Sequence, residues 1–246
     1  MCIRDSYGIF PYRFSGVNGW ELSFDSLNSL GVPYESWMCN DLWGTFYKDD
    51  DVSKLQHEIL QTPGKNYYCH CMSRGAIGIV LSHLSVLQDA YDSGFETIWV
   101  MEDDIEVIRN PHLISEYIER LDHLIGEDSW DILFTDRDTK NNQGEYVPCT
   151  GFAKRPNFSP ENTYRFATRI PISDHFTRVG ARYGAYSMIV RRSGMKKILD
   201  FIKTHHIFLP YDMEFFLPND IAMYAVIDDI VSFQPGSPSD NSLPNY

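Results

Sequence analysis

Residues 96–108 read ETIWVMEDDIEVI, an apolar run that ends in acid. Thr97 to Met101 is short, β-branched and aromatic, the pattern of a buried strand. Three consecutive carboxylates follow, Glu102, Asp103 and Asp104, before the chain turns apolar again. Crowded carboxylates repel one another unless water, a cation or a basic partner offsets the charge.

Working outward, RGAIGIVLSHLSVLQDAYDSG at 74–94 places Ile77, Val80, Leu81, Leu84, Leu87 and Tyr91 on one helical stripe, with Gly94 positioned to close it. A second stripe runs Leu113, Ile114, Tyr117, Ile118, Leu121, Leu124, Ile125 and ends near Gly126. WDILFTD at 130–136 predicts a strand ending in an acid, and YGAYSMIV at 183–190 and AMYAVID at 222–228 predict two more. Ser193 is predicted to cap the helix GMKKILDFIKTH. Helix, strand, helix, strand in alternation implies α/β architecture with a parallel sheet flanked by helices, one domain over residues 1–246. Nearer the start, Asn18-Gly19 reads as a turn and 49–61 as a polar surface helix. Residues 137–180, rich in Asn, Pro, Thr, Arg and Gly, read as a long, partly ordered loop over the sheet edge, and loops of that length often bind an acceptor or close a site. The tail SFQPGSPSDNSLPNY is turn-rich.

Hydrophobic residues make up 43% and charged residues 22% of the 246, the mixture of an ordinary globular protein. A net charge of −13 argues against a nucleic-acid partner, and a small anion would need a cation or a local basic cluster such as Arg178, Arg182, Arg191 and Arg192. No apolar run is long enough to form a membrane-crossing helix, and peripheral association with a membrane stays open. The absence of a secretory signal and the five sparse cysteines predict a reducing, cytoplasmic setting. Cys69-x-Cys71 lacks the spacing and the second ligand pair of a zinc knuckle and reads as two thiols beside a histidine.

In parallel sheets ligands bind at the carboxyl ends of the strands. Alternation along an extended backbone would put Glu102 and Asp104 on one side and Asp103 on the other. Two converging carboxylates suit a hard divalent cation that also holds phosphates. Acidic strand ends are equally ordinary turn chemistry, so from these residues alone a metal site and a solvated turn both stand. Asp136 could close such a site from the neighbouring strand, or simply start a turn.

RGAIGIVLSHLSVLQDA followed by IWVMEDDIEV resembles the core of glycosyltransferase family 25, the lipopolysaccharide-biosynthesis and collagen-galactosyltransferase group. Gly75, Gly78, Ser82 and His83 stand where that family carries a Gly-x-x-Gly-x-x-x-Ser-His helix, and Glu102, Asp103 and Asp104 where its apolar strand ends Glu-Asp-Asp. WDILFTD, GAYSMIVRRSGMKKIL, LPYDMEFFL (with Tyr211 in place of Val) and SPSDNS resemble later elements in the same order, so the likeness spans about residues 12–243. The family usually opens with a Val-Ile-Asn-Leu strand, whereas YRFSGVNGWEL resembles the segment just after it; the expectation is an N-terminus that is truncated or non-native.

The resemblance implies a GT-A-like, Rossmann-type nucleotide-binding sheet and an inverting transferase. Its donor would be a UDP-sugar, with galactose the hexose moved, its cofactor Mn²⁺ or Mg²⁺, and its acceptor a saccharide of lipopolysaccharide or another glycan. Asp104 and then Glu102 would bind the metal, with Asp103, Arg74 and Gly75 on the nucleotide side. Asp212 would be the general base, with Glu214 the second candidate and an N-cap the structural alternative for Asp212. His83 reads as a satisfied, half-buried histidine, and Gly184 and Tyr186 as pocket wall. Two other readings share the acidic strand end: a metal-dependent α/β phosphohydrolase, and a sugar-nucleotide-binding homologue without turnover.

Overall fold

The computed structural model describes residues 6–48 and 56–236. Asn18 accepts the Trp20 N–H and caps a 3-10 turn over Gly19–Glu21, as its turn chemistry predicts, and Ser23 caps α1 (Phe24–Leu30). Four short strands, β1 (Val32–Pro33), β2 (Trp43–Phe46), β3 (Gln56–Ile59) and β4 (Asn66–Cys69), form an antiparallel sheet in the order β1-β4-β2-β3. The helix expected over 49–61 is therefore corrected. Gln56–Ile59 is an edge strand paired with Trp43–Phe46, because cross-strand pairing outweighs a weak local preference, and 49–55 lie outside the described residues.

The long helix α2 (Arg74–Asp92) starts where the Ser73 side chain accepts the Ala76 N–H. It ends at Ser93, after which Gly94 turns with φ 77°, a conformation that favours glycine. Strand β5 (Thr97–Met101) follows, then β6 (Ile105–Val107), α3 (Leu113–Ile125) and β7 (Ile132–Phe134). A hairpin of β8 (Arg169–Pro171) and β9 (Phe176–Val179) precedes β10 (Ser187–Arg191), α4 (Arg192–His205), the one-turn helix α5 (Tyr211–Glu214), β11 (Met223–Val226) and β12 (Val231–Phe233).

The main sheet has the order β5-β10-β7-β11-β9-β8, and the expectation of a parallel sheet needs correction. Only β7 and β11 pair in parallel; β10 lies antiparallel between β5 and β7. Since β10 opposes both neighbours, β5 and β7 still run the same way, and β11 with them. Three carboxyl ends thus share one edge of the sheet with the start of β10, so the strand-end rule for ligands keeps its force.

Alternate residues build the two faces. Val100, Ile132, Phe134, Met188, Val190, Met223 and Ala225 join the larger core with Ile77, Val80 and Leu87 of α2 and Met195 and Ile198 of α4. Their neighbours Leu133, Ile189 and Tyr224 face the other way, onto Ile114 and Leu121 of α3. The result is a mixed α/β, Rossmann-like single domain with helices on both faces of a mixed sheet. Among the described residues no helix is long and apolar enough to cross a membrane.

Three further expectations change. Residues 169–179 are not loop but the hairpin that completes the sheet. Ser193 lies inside the first turn of α4, where Arg191 is the cap residue, and its hydroxyl meets Asp131 Oδ1 at 2.7 Å. The basic cluster is largely structural: Arg182 is buried against Asp136, Arg191 holds Asp122 at 2.6 Å, and Arg192 donates to the Tyr91 carbonyl at 2.8 Å.

Gly78, in the second turn of α2, has a packing role. A Cβ on Gly78 would stand 2.6 Å from Val17 O and 2.7 Å from Gly19 N, so the helix meets the N-terminal segment backbone to backbone. Ser82 Oγ receives the Val17 N–H at 2.8 Å and bonds Gly78 O at 2.7 Å. Gly78→Ala is expected to cost about 1–3 kcal/mol by overpacking, read as a lower urea midpoint at unchanged slope. An unchanged midpoint would show that the contact is loose.

Candidate active site

The acidic run sits where β5 ends. The ladder continues for one more bond, from Glu102 N–H to Tyr186 O at 2.8 Å, before Asp103 and Asp104 form a turn into β6. Asp103 is exposed at that turn, while Glu102 and Asp104 are half-buried. The Asp104 carbonyl receives the Gln234 N–H at 2.9 Å, and β6 pairs with β12, which anchors the turn from the far side.

His83, from the third turn of α2, meets Glu102 Oε1 through Nε2 at 3.0 Å. Its ring is only 6% exposed and lies flat on Tyr211, with centroids 4.2 Å apart and planes 12° apart. Glu102 keeps 37% of its side chain exposed, enough to reach a ligand while the histidine holds its other end. Tyr211 is fully enclosed; burial first, and the Glu102 charge second, push its phenol well above the ordinary range and keep it neutral. The histidine expected to be half-buried and satisfied is instead buried, with Nε2 tied to the acidic run and Nδ1 enclosed without a hydrogen-bond partner.

Asp212 follows Tyr211 in α5. Its Oδ2 accepts the Gly184 N–H at 3.1 Å, and Pro210, not Asp212, is the cap residue of that helix. Gly184 has φ 79°, and a Cβ there would come within 2.3 Å of the Tyr186 ring, so only glycine turns this N–H toward the carboxylate. Burial pushes the Asp212 carboxyl above the usual carboxylate range; the Gly184 N–H pulls it down, the Glu102 charge adds to the rise, and His83 opposes it. Glu102, His83, Tyr211 and Asp212 therefore share one neighbourhood, assembled from β5, α2 and α5.

Other candidates are placed elsewhere. Glu214 is 1% exposed; both its oxygens take the Arg155 guanidinium, and Oε1 also accepts the N–H groups of Phe208 and Leu209 at 3.0 and 2.7 Å. A carboxylate so enclosed cannot reach an acceptor hydroxyl, which removes it as the second base. Arg74 is 8% exposed and donates to the carbonyls of Gly19, Trp20 and Leu22 at 3.2, 2.6 and 2.6 Å. It staples the N-terminal segment to α2 through Nε and Nη2, and Gly75 is buried in the same turn. Asp136 does not close the site: it is fully buried with Arg182, the Tyr186 hydroxyl and the Ser232 hydroxyl, the last two at 2.7 Å. That network fixes the start of β10, and with it Gly184 and Tyr186, beneath the acidic turn.

Among the described residues no three His, Cys, Asp or Glu side chains converge to hold a metal ion unaided. The roles of Tyr211 and of the Arg155–Glu214 pair left no periodic signal in the sequence.

Compared with models of protein families, residues 26–215 match the one described as glycosyltransferase family 25 (LPS biosynthesis protein). The matched span includes the acidic run, His83 and Asp212. A search of curated proteins found no match.

Proposed function

The chain belongs to glycosyltransferase family 25, and from that premise we propose a metal-dependent, inverting transfer of a hexose, galactose foremost, from a UDP-sugar to a saccharide acceptor of lipopolysaccharide or a related glycan. The observation that carries this reading is the meeting of the Glu102–Asp104 turn with Asp212 around the His83–Tyr211 stack.

Glu102 and Asp104 would hold Mn²⁺ or Mg²⁺, with Asp103 on the nucleotide side. A cation held there would supply the positive charge that offsets the diphosphate of the departing UDP. His83 positions Glu102 through their 3.0 Å contact. Asp212, oriented by the Gly184 N–H, takes the proton of the acceptor hydroxyl as that oxygen attacks the anomeric carbon opposite the leaving group. The acceptor enters from the side of residues 137–180. Thr139 there bonds the carbonyl of Tyr183, next to Gly184, so that loop and the base share a frame.

Calorimetry with UDP and UDP-galactose, with Mn²⁺ and again with chelator, tests the donor site; binding that persists unchanged in chelator would sink the metal dependence. Asp104→Ala should weaken Mn²⁺-dependent UDP binding by more than the roughly 10–100-fold that loss of a metal's outer-shell partner costs. The fold should survive, since Asp104 lies in a turn outside the core. Wild-type affinity in this variant would move the metal elsewhere.

A further inference from the structure

Two thiols lie in contact where β4 ends. Cys69 Sγ and Cys71 Sγ are 2.9 Å apart; Cys69 is 5% exposed, and Cys71 is exposed in the following turn, which Met72 N–H closes onto Cys69 O at 3.0 Å. A disulfide needs its sulfurs at about 2.0 Å, so closure asks for an approach of roughly 0.9 Å. We propose that Cys69 and Cys71 form a redox-active dithiol, a modification site for small disulfides of the glutathione class, within electrostatic reach of Asp212.

The division of labour follows from position. Cys71 is the accessible partner, and the S–H of Cys69 donated to it lowers its thiol to about 7, against burial and the Asp212 charge. Thiolate is therefore present at neutral pH where a small disulfide can arrive. The Cys71 thiolate attacks one sulfur of that disulfide, the S–S bond breaks, and one small thiolate departs, leaving a mixed disulfide on Cys71. Cys69 then attacks the Cys71 sulfur, its proton passing to the second departing thiolate. The two protein thiols have lost two electrons, and the small disulfide has become two thiols.

Closure bears on the active-site segment. The Cys69 N–H donates to Phe208 O at 2.8 Å, and Phe208 in turn donates to Glu214, so the end of β4 is tied to the chain that carries Asp212. The thiol chemistry stands apart from the transferase reading; only the consequence for Asp212 rests on it.

The full chain would be equilibrated with mixtures of reduced and oxidised glutathione, remaining thiols alkylated, and peptides mapped by mass spectrometry. A Cys69–Cys71 disulfide should rise with the oxidised share and vanish with dithiothreitol. Cys69→Ala should accumulate glutathione on Cys71, and Cys71→Ser should leave Cys69 unmodified. The proposal is overturned if Cys71 stays alkylatable in the most oxidising mixture, or if it pairs with another cysteine instead. Mapping reads the dithiol whether or not the chain transfers sugar. In the transfer assay, several-fold lower turnover of the closed form, absent in Cys71→Ser, supports the link to Asp212; unchanged turnover of fully closed protein overturns that link.

Discussion

Asp212→Asn is expected to slow sugar transfer by about 10²–10⁴-fold, the usual contribution of a positioned general base, while UDP binding persists. Asparagine keeps an acceptor for the Gly184 N–H, so geometry survives and only the proton acceptor is lost. Glu102 and His83 act on this carboxylate by charge and the Gly184 N–H by a hydrogen bond, and Cys71 and Tyr183 lie within reach of its charge. Because burial raises its pKa, turnover in the parent should fall as pH drops through a value above the ordinary aspartate range, and this limb should vanish in the variant. Stability runs the opposite way. A carboxyl whose pKa rises on folding stabilises the fold fully below its unfolded value, and that contribution is lost as pH climbs through the raised one. Above that raised value the ionised Asp212 works against folding, so Asp212→Asn should melt no lower than the parent there, with slow turnover. A variant that turns over normally, or one that simply unfolds early, would end the assignment of Asp212 as base.

The second large effect is on stability. Arg155→Ala should cost about 3–5 kcal/mol, the penalty for leaving a buried charge without its partner. Arg155 is 3% exposed, meets both Glu214 oxygens, and donates to the carbonyls of His205 and His206 at 2.6 and 2.8 Å. It joins the 150s loop to the end of α4 and to the segment before Asp212. Replacing both partners, Arg155→Met with Glu214→Gln, keeps an acceptor for the N–H groups of Phe208 and Leu209 and removes both charges, so much of the loss should return. Urea unfolding of the two variants decides the matter. A single-variant loss below about 1 kcal/mol, an ordinary surface effect, would mean that water reaches the pair.

Local periodicity and local chemistry are legible without the fold. The strand Thr97–Met101, the helices Arg74–Asp92 and Leu113–Ile125 and the glycines that end them follow from apolar spacing and from backbone freedom. So does the order of the Gly-rich helix and the acidic strand end, which carries the family. Strand direction was not legible, because antiparallel β10 and parallel β11 use the same β-branched and apolar residues. The tertiary structure also decided which charged residues are enclosed as internal partners and which stay open at the surface. Arg74, Asp136 and Glu214 were all candidates by residue type. Each is enclosed by partners far away in the chain: Arg74 by Gly19, 55 residues off; Asp136 by Arg182, 46 off; Glu214 by Arg155, 59 off. Glu102 ends a strand at a turn, and Asp212 is held by backbone N–H groups rather than by a buried guanidinium. A charge acts on a ligand only where folding leaves it incompletely paired, and pairing across such separations leaves no trace in local pattern.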